Sequence, residues 1–239
     1  MAENRNQNRI RERLALHLPV RIHCREGTDF EWTEMTRLTN VTPFGAAFTL
    51  TRPTERGRLL HMTIPMPRQL RVFDHVEDQY RIWAIVRHLQ SKNTDKGLRF
   101  AVGVAFIGKR APASYETQPW KRYEITFGAP EKLPDIDETS RSRSVDEREH
   151  TRHHMAVDMC MEVMDPSGAI AASEQTVTEN ISARGATIFT ALEVPVGRFI
   201  RLTSDQYRTT AYAAIRARST GADGVARIHV EFVDKQWPL

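Results

Sequence analysis

Two cysteines, Cys24 and Cys160, are all that 239 residues contain, and neither sits in a CxxC pair or beside a cysteine–histidine cluster. That excludes a disulfide framework or structural zinc site of the usual spacing and leaves packing as their role. Long apolar runs are missing too. None approaches the ~20 residues of a membrane helix, and the N-terminal MAENRNQNRIRERL lacks the apolar centre of a signal peptide, so a cytoplasmic location without membrane insertion is expected. The chain has no GxSxG, no GxxxxGK[ST] and no HExxH, which removes the nucleophile elbow, the P-loop and the zinc-protease helix. No catalytic residue is assigned, and an enzyme is not expected. A strong excess of one charge is also absent: 34 basic residues against 30 acidic ones leave a net charge of +4, which argues against a broad nucleic-acid-binding face, and nucleic acid is not expected as a partner.

What is present is a folded composition, 40% hydrophobic and 27% charged, in a chain long enough for one large domain or two ordinary ones. The arginines crowd into RNQNRIRER (5–13) and RSRSVDEREHTR (141–152), each ahead of an apolar, strand-like segment, a distribution that favours local anion sites. The chain also repeats itself. TNVTPFGAAF and ENISARGATIF place Asn, a hydroxyl residue and Gly at matched offsets before an apolar alternation, with Gly45 and Gly185 as equivalent positions. Upstream, Arg9 and Arg13 fall opposite Arg148 and Arg152 with a one-residue shift. Downstream, Gly57-Arg58-Leu59-Leu60 and Gly197-Arg198-Phe199-Ile200 each follow 12 residues after the turn glycine, and both halves close on a period-two strand, VGVAF and IHVEF.

Period and punctuation predict short strands in each half: LPVRIHC, GAAFTL, RLLHMTI, RIWAIVRHL and FAVGVAF, then AVDMCMEV, GATIF, RFIRLT, TAYAAIRARS and ARIHVEF. Such strands argue for a small antiparallel barrel or sandwich per half, a mainly all-β chain. The segment 128–147 is polar, Pro-punctuated and aperiodic, and reads as a linker between units spanning 1–127 and 148–239. About 14 residues extra in the first half are assigned to PMPRQLRVFDHVEDQY, near 65–80. YETQPWKRYEI is expected as a short helix or strap packing Trp120 on the first barrel, and most aromatics, Trp32, Phe48, Trp83, Phe106, Phe189 and Phe232 among them, as core.

RxxxR, a gap of roughly thirty residues, and then [D/N]xSxxG at the head of a strand resembles the PilZ domain, the bacterial receptor module for cyclic di-GMP. The resemblance spans nearly the whole chain as two tandem copies. It implies two antiparallel six-stranded β-barrels, cyclic di-GMP as ligand rather than a cofactor, signal transduction and an unidentified protein partner. Carried onto this sequence, the favoured ligand-binding set is Arg148, Arg152, Asn180, Ser182 and Gly185 in the second copy. The set in the first is Arg9, Arg13, Asn40, Thr42 and Gly45. The residue types suit the ligand: Arg forks onto phosphate oxygens or guanine O6/N7 and stacks on bases. Asn serves a base edge, a hydroxyl bonds phosphate or base, and Gly permits positive φ or close ligand approach.

The same residues admit plainer readings. Asn, Ser, Pro and Gly alone make a plain turn, and arginines alone a solvated arm. Thr42-Pro43 in the first copy favours a degenerate scaffold or interaction module that no longer binds nucleotide. His150, His153 and His154 raise a metal site, but no carboxylate or cysteine sits at ligand spacing and no metal is assigned.

Overall fold

The computed structural model describes residues 17–95, 97–126, 135–137 and 152–239. Arg9, Arg13 and Arg148, together with most of the 128–147 segment, lie outside the described residues.

Two closed six-stranded antiparallel barrels make up the molecule. The first is built from β1 (Pro19–Arg25), β2 (Glu31–Thr42), β3 (Gly45–Leu50), β4 (Leu59–Ile64), β5 (Tyr80–Thr94) and β6 (Gly97–Gly108), closed in the ring order β1-β2-β3-β6-β5-β4. A two-stranded ribbon follows, β7 (Glu124–Thr126) with β8 (Asp135–Asp137). The second barrel uses β9 (Asp158–Met164), β10 (Ile170–Ser182), β11 (Gly185–Phe189), β12 (Phe199–Ser204), β13 (Thr209–Thr220) and β14 (Ala226–Phe232), closed as β9-β10-β11-β14-β13-β12. The two rings have one connectivity, 140 residues apart.

Alternation drives the closure. In β1, Val20, Ile22 and Cys24 point inward while Pro19 and Arg21 face out. Cys24 is wholly buried, and desolvation pushes its thiol up to about 12, which keeps it inert at neutral pH. Trp32, Phe48, Phe106 and Phe232 are buried, whereas Trp83 and Phe189 are only partly so. Between β4 and β5 a loop wraps Arg71, whose guanidinium donates to the carbonyls of Met66, Glu77 and Asp78 and lies over the Tyr80 ring.

The barrels are welded together. The core of the first barrel continues into Met164, Phe199, Tyr212 and Ala214 of the second. The repeated Gly-Arg pairs supply the polar part of this contact. Gly57 (φ 84°) and Gly197 (φ 91°) hold the left-handed turn that delivers the next residue inward. Arg58 is fully buried, donating to Glu55 at 2.6 Å and to the carbonyl of Gly197 at 3.4 Å, with its guanidinium over the Phe199 ring. Arg198 approaches Glu26 at 3.6 Å and covers the Phe30 ring of the first barrel. Arg216 of β13 forks onto Glu55.

The strap after β6 differs from the sequence expectation. Tyr115, at the end of a 3-10 turn (Ala113–Tyr115), and Tyr123 pack on Leu59 and Ile85 of the first barrel. Trp120 instead lies against Gly197 of the second, so close that any Cβ there would overlap it. The strap thus seals the seam between barrels, and that seam, rather than the first barrel alone, offers the indole its cover.

Candidate functional site

The repeated turns share the hydroxyl-to-glycine-carbonyl bond and differ in the amide that the hydroxyl accepts from. Thr42 Oγ1 donates to the Gly45 carbonyl (3.3 Å) and accepts from the Phe44 amide (3.3 Å). Ser182 Oγ donates to the Gly185 carbonyl (3.1 Å) and accepts from the Gly185 amide (3.2 Å). The hydroxyl therefore closes the hairpin before any ligand is considered. The glycines have a different reason from the one expected. Neither has positive φ; a Cβ at Gly45 would run into the Val104 carbonyl and one at Gly185 into the Val230 carbonyl, so the crowding partner is the neighbouring strand.

Register places side chains in rows across the outer face of β10, β11 and β14. The first row is Ser182, Gly185 and Glu231; the second is Asn180, Thr187 and His229; the third contains Phe189 and Arg227. A bulge between Thr178 and Asn180 sets this phase, leaving Glu179 to reach Arg227 at 2.9 Å. Arg227 also grips Asp223 and covers the Phe189 ring with its guanidinium 4.7 Å from the centroid.

The arm preceding β9 completes the site. His153 exchanges two backbone hydrogen bonds with Ile181, at 2.8 and 3.0 Å, which brings exposed Arg152 alongside Ser182 at the end of β10. Its charge reaches the second row: burial first, and then Arg152, hold the His229 imidazole below the usual histidine range, with Glu179 opposing. The His229 ring is bound on both sides, Nδ1 to Thr187 Oγ1 at 3.1 Å and Nε2 to Ser219 Oγ at 3.0 Å. Asn180 is 8% exposed, and its Oδ1 is buried with no hydrogen-bond partner among the described residues. An orphaned acceptor costs about 1–3 kcal/mol, and here it sits under the arm, one strand from His229.

Of the residues singled out in the second copy, Arg152, Asn180, Ser182 and Gly185 thus converge, while Arg148 lies outside the described residues. In the first copy Asn40, Thr42 and Gly45 occupy the same registers, with Arg9 and Arg13 outside the described residues. Thr187, Arg227, His229 and Glu231 went unnoticed in the sequence, although alternation along RIHVEF would have set Arg227, His229 and Glu231 on one face. The face also reaches the seam: Glu231, opposite Gly185, accepts from Arg216 at 2.9 Å and from the strap residue Arg122 at 3.3 Å. Arg216 is the residue that forks onto Glu55.

Among the described residues no three His, Cys, Asp or Glu side chains are grouped to hold a metal, and no helix is long and apolar enough to cross a membrane. A cleft of about 410 Å³ between the barrels is lined by Ser91, Arg201, Arg208 and Tyr212 among others and includes none of the site residues above.

No known family model and no curated protein matches this chain. Among solved structures it is similar to the Bacillus subtilis inhibitor of motility MotI/DgrA, with 12% identity, 93% of this chain and 90% of that one covered, and a TM-score of 0.32. It is similar also to Borreliella burgdorferi PlzA in complex with c-di-GMP, with 10% identity, coverage of 94% and 84%, and a TM-score of 0.30. Escherichia coli YcgR in complex with c-di-GMP gives 11% identity, coverage of 91% and 76%, and a TM-score of 0.28. Overlaps of this size assign neither family nor function, which rest on the chain's own residues.

Proposed function

We propose that this chain is a tandem PilZ-type receptor for cyclic di-GMP, divided at 1–127, 128–147 and 148–239, in which the second barrel holds the ligand and no reaction is catalysed. The observation that carries the reading is the pairing of Arg152 with the Asn180–Ser182 strand end, where a buried Asn180 Oδ1 lacks a donor. Guanine supplies N–H donors for that oxygen, and each phosphodiester carries the charge that Arg152 and Arg148 would neutralise through charge-assisted hydrogen bonds. Gly185 and Ser182 keep the turn tight enough for the arm to lie over it.

Signalling is proposed to run through the seam. Glu231 belongs to the row of Gly185 and shares Arg216 with Glu55 of the first barrel, so a dianion on the face competes for the same guanidinium. A ligand moves such an equilibrium only by its different affinity for the two arrangements. Because the seam is a shared core with buried ion pairs, a change of angle between barrels must break Glu55–Arg216; ordering of the arm need not. Either change would be read by a protein partner in the cytoplasm.

The first barrel carries a second reading, a scaffold without ligand. In the registers of Thr187, Arg227, His229 and Glu231 it has Ala47, Ala101, Gly103 and Ala105, none of which offers a polar side chain. Calorimetric titration of the full chain with cyclic di-GMP tests the receptor reading: saturable binding that is lost in Arg152→Ala supports it, and the absence of binding by the intact chain contradicts it.

A further inference from the structure

The most unusual group on the candidate face is His229, which no part of the RxxxR and [D/N]xSxxG resemblance accounts for. It stands in the same row as Asn180 and Thr187, between the arm and Arg227, at a register where the first barrel has Gly103. Among the described residues its two nitrogens meet only hydroxyls, Thr187 Oγ1 and Ser219 Oγ. A hydroxyl can donate or accept by rotating, so neutral imidazole and imidazolium are both fully hydrogen-bonded at this spot without any backbone movement. A carbonyl or carboxylate partner would have fixed one state. The site is therefore built to tolerate a change of charge.

We propose that His229 is a ligand-contacting residue of the second-barrel site and makes binding of cyclic di-GMP tighter as the medium turns acidic. The inference rests on the receptor reading above. In the free protein the ring is kept neutral at pH 7 by burial and by Arg152. Bound phosphodiesters reverse that field, because an adjacent anion favours the imidazolium. The complex then holds more protons than its separated components, and affinity rises as the pH falls through the raised value in the complex, levelling off below the value of the free protein. Neither phosphodiester nor guanine titrates in that interval.

Other groups facing the ring bear on the sign. Arg152 comes from the arm, Glu179 from β10 and Arg227 from β14 itself, the last two paired with each other; β11 and β13 contribute the two hydroxyls. Arg218, beside Ser219, is turned to the Val194 carbonyl. His153 and His154 border the site on the arm and are exposed, so they need their own control.

The test is titration calorimetry of the full chain with cyclic di-GMP between pH 5.5 and 8, in buffers of different ionisation enthalpy, with His229→Gln, His229→Gly and His153→Gln/His154→Gln alongside. Gly is compatible with the barrel, since Gly103 fills the equivalent register. The expected result is proton uptake by the wild type and an affinity gain of up to about tenfold per pH unit below neutrality. Both His229 variants should bind with a flat profile while the arm variant keeps the slope. A slope retained in the His229 variants, or lost in the arm variant, overturns the inference and leaves the receptor reading standing. A failure of the wild type to bind at every pH overturns both.

Discussion

The outer faces of the two barrels are one surface drawn twice, with Thr187, Arg227, His229 and Glu231 in the second where the first has Ala47, Ala101, Gly103 and Ala105. In the second barrel Asn180 is followed across the sheet by Thr187 and His229; in the first, Asn40 is followed by Ala47 and Gly103. Below them Gly185 faces Glu231 where Gly45 faces Ala105. The turn itself is preserved in both, with its hydroxyl-to-glycine-carbonyl bond, and so are two contacts outside the motif. Glu34 caps the Thr51 amide at 2.8 Å as Glu174 caps Ala191 at 2.9 Å, and Thr36 donates to Thr49 as Thr176 does to Phe189. The lesson is that the turn motif belongs to the barrel, whereas the polar residues Thr187, Arg227, His229 and Glu231 beside it belong to the second copy alone. A copy of the motif is evidence of fold first.

The sharpest way to break this comparison is to attack what joins the barrels. Glu55 is buried, and although desolvation pushes its carboxyl up, Arg216 and then Arg58 pull it down to about 2. Glu26 is equally buried, but its cations stand off, Arg198 at 3.6 Å and Arg52 at 4.0 Å, and desolvation wins, raising its pKa. Glu55→Gln is expected to cost about 3–5 kcal/mol, because it strands buried arginines. Glu26→Gln, which can still accept from Trp32 but not also from the Phe199 amide, should cost less than that, about 1–3 kcal/mol. Urea melts at pH 7 measure both. The pH profiles should have opposite signs. The Glu55 contribution is complete above its ordinary 4.5 and fades as the pH falls through about 2. The penalty of charged Glu26 is present at neutral pH and is relieved as the pH falls through its raised value toward 4.5.

Next in size, Gly45→Ala and Gly185→Ala should each destabilise by about 1–3 kcal/mol, since both methyls meet a carbonyl of the adjacent strand. Equal losses in thermal melts would confirm that the glycine serves the barrel; a loss confined to Gly185 would mean the two turns are not equivalent. The smallest expected effect is the most selective. Asn180→Ala should weaken cyclic di-GMP binding by about tenfold, the worth of roughly one hydrogen bond, and Asn40→Ala should leave it unchanged in the same titration.

Much of the fold was legible in the sequence because strand alternation is strong wherever one face is apolar. The barrel strands missing from that reading were β2 and β10, which carry the motif; the ribbon pair β7 and β8 was missing too, β8 lying inside the segment read as linker. In β2 inward pointing falls to Trp32, Leu38 and Val41 across twelve residues, and in β10 to Thr178 and Ile181 across thirteen, so their pattern is diluted. The Gly-Arg pairs were visible as a repeat but not as a seam. Sequence gives no sign that Arg58 is fully buried, because an arginine in that state exists only by virtue of a partner barrel. The hydroxyl and glycine of the turn were legible as residues and misread in part as to cause, since the crowding strand is remote in sequence.

The measurement that tests the central claim most directly is a crossed titration of the full chain with cyclic di-GMP. Arg148→Ala/Arg152→Ala removes the second-barrel pair and Arg9→Ala/Arg13→Ala the first. The account predicts that the second-barrel variant loses binding by about a hundredfold or more, from two charge-assisted contacts of ~1.5–3 kcal/mol each, while the first-barrel variant binds as the wild type does. Binding that survives the second-barrel change and disappears with the first would contradict it, and would put the ligand on the face that has Ala47, Ala101, Gly103 and Ala105 in those registers.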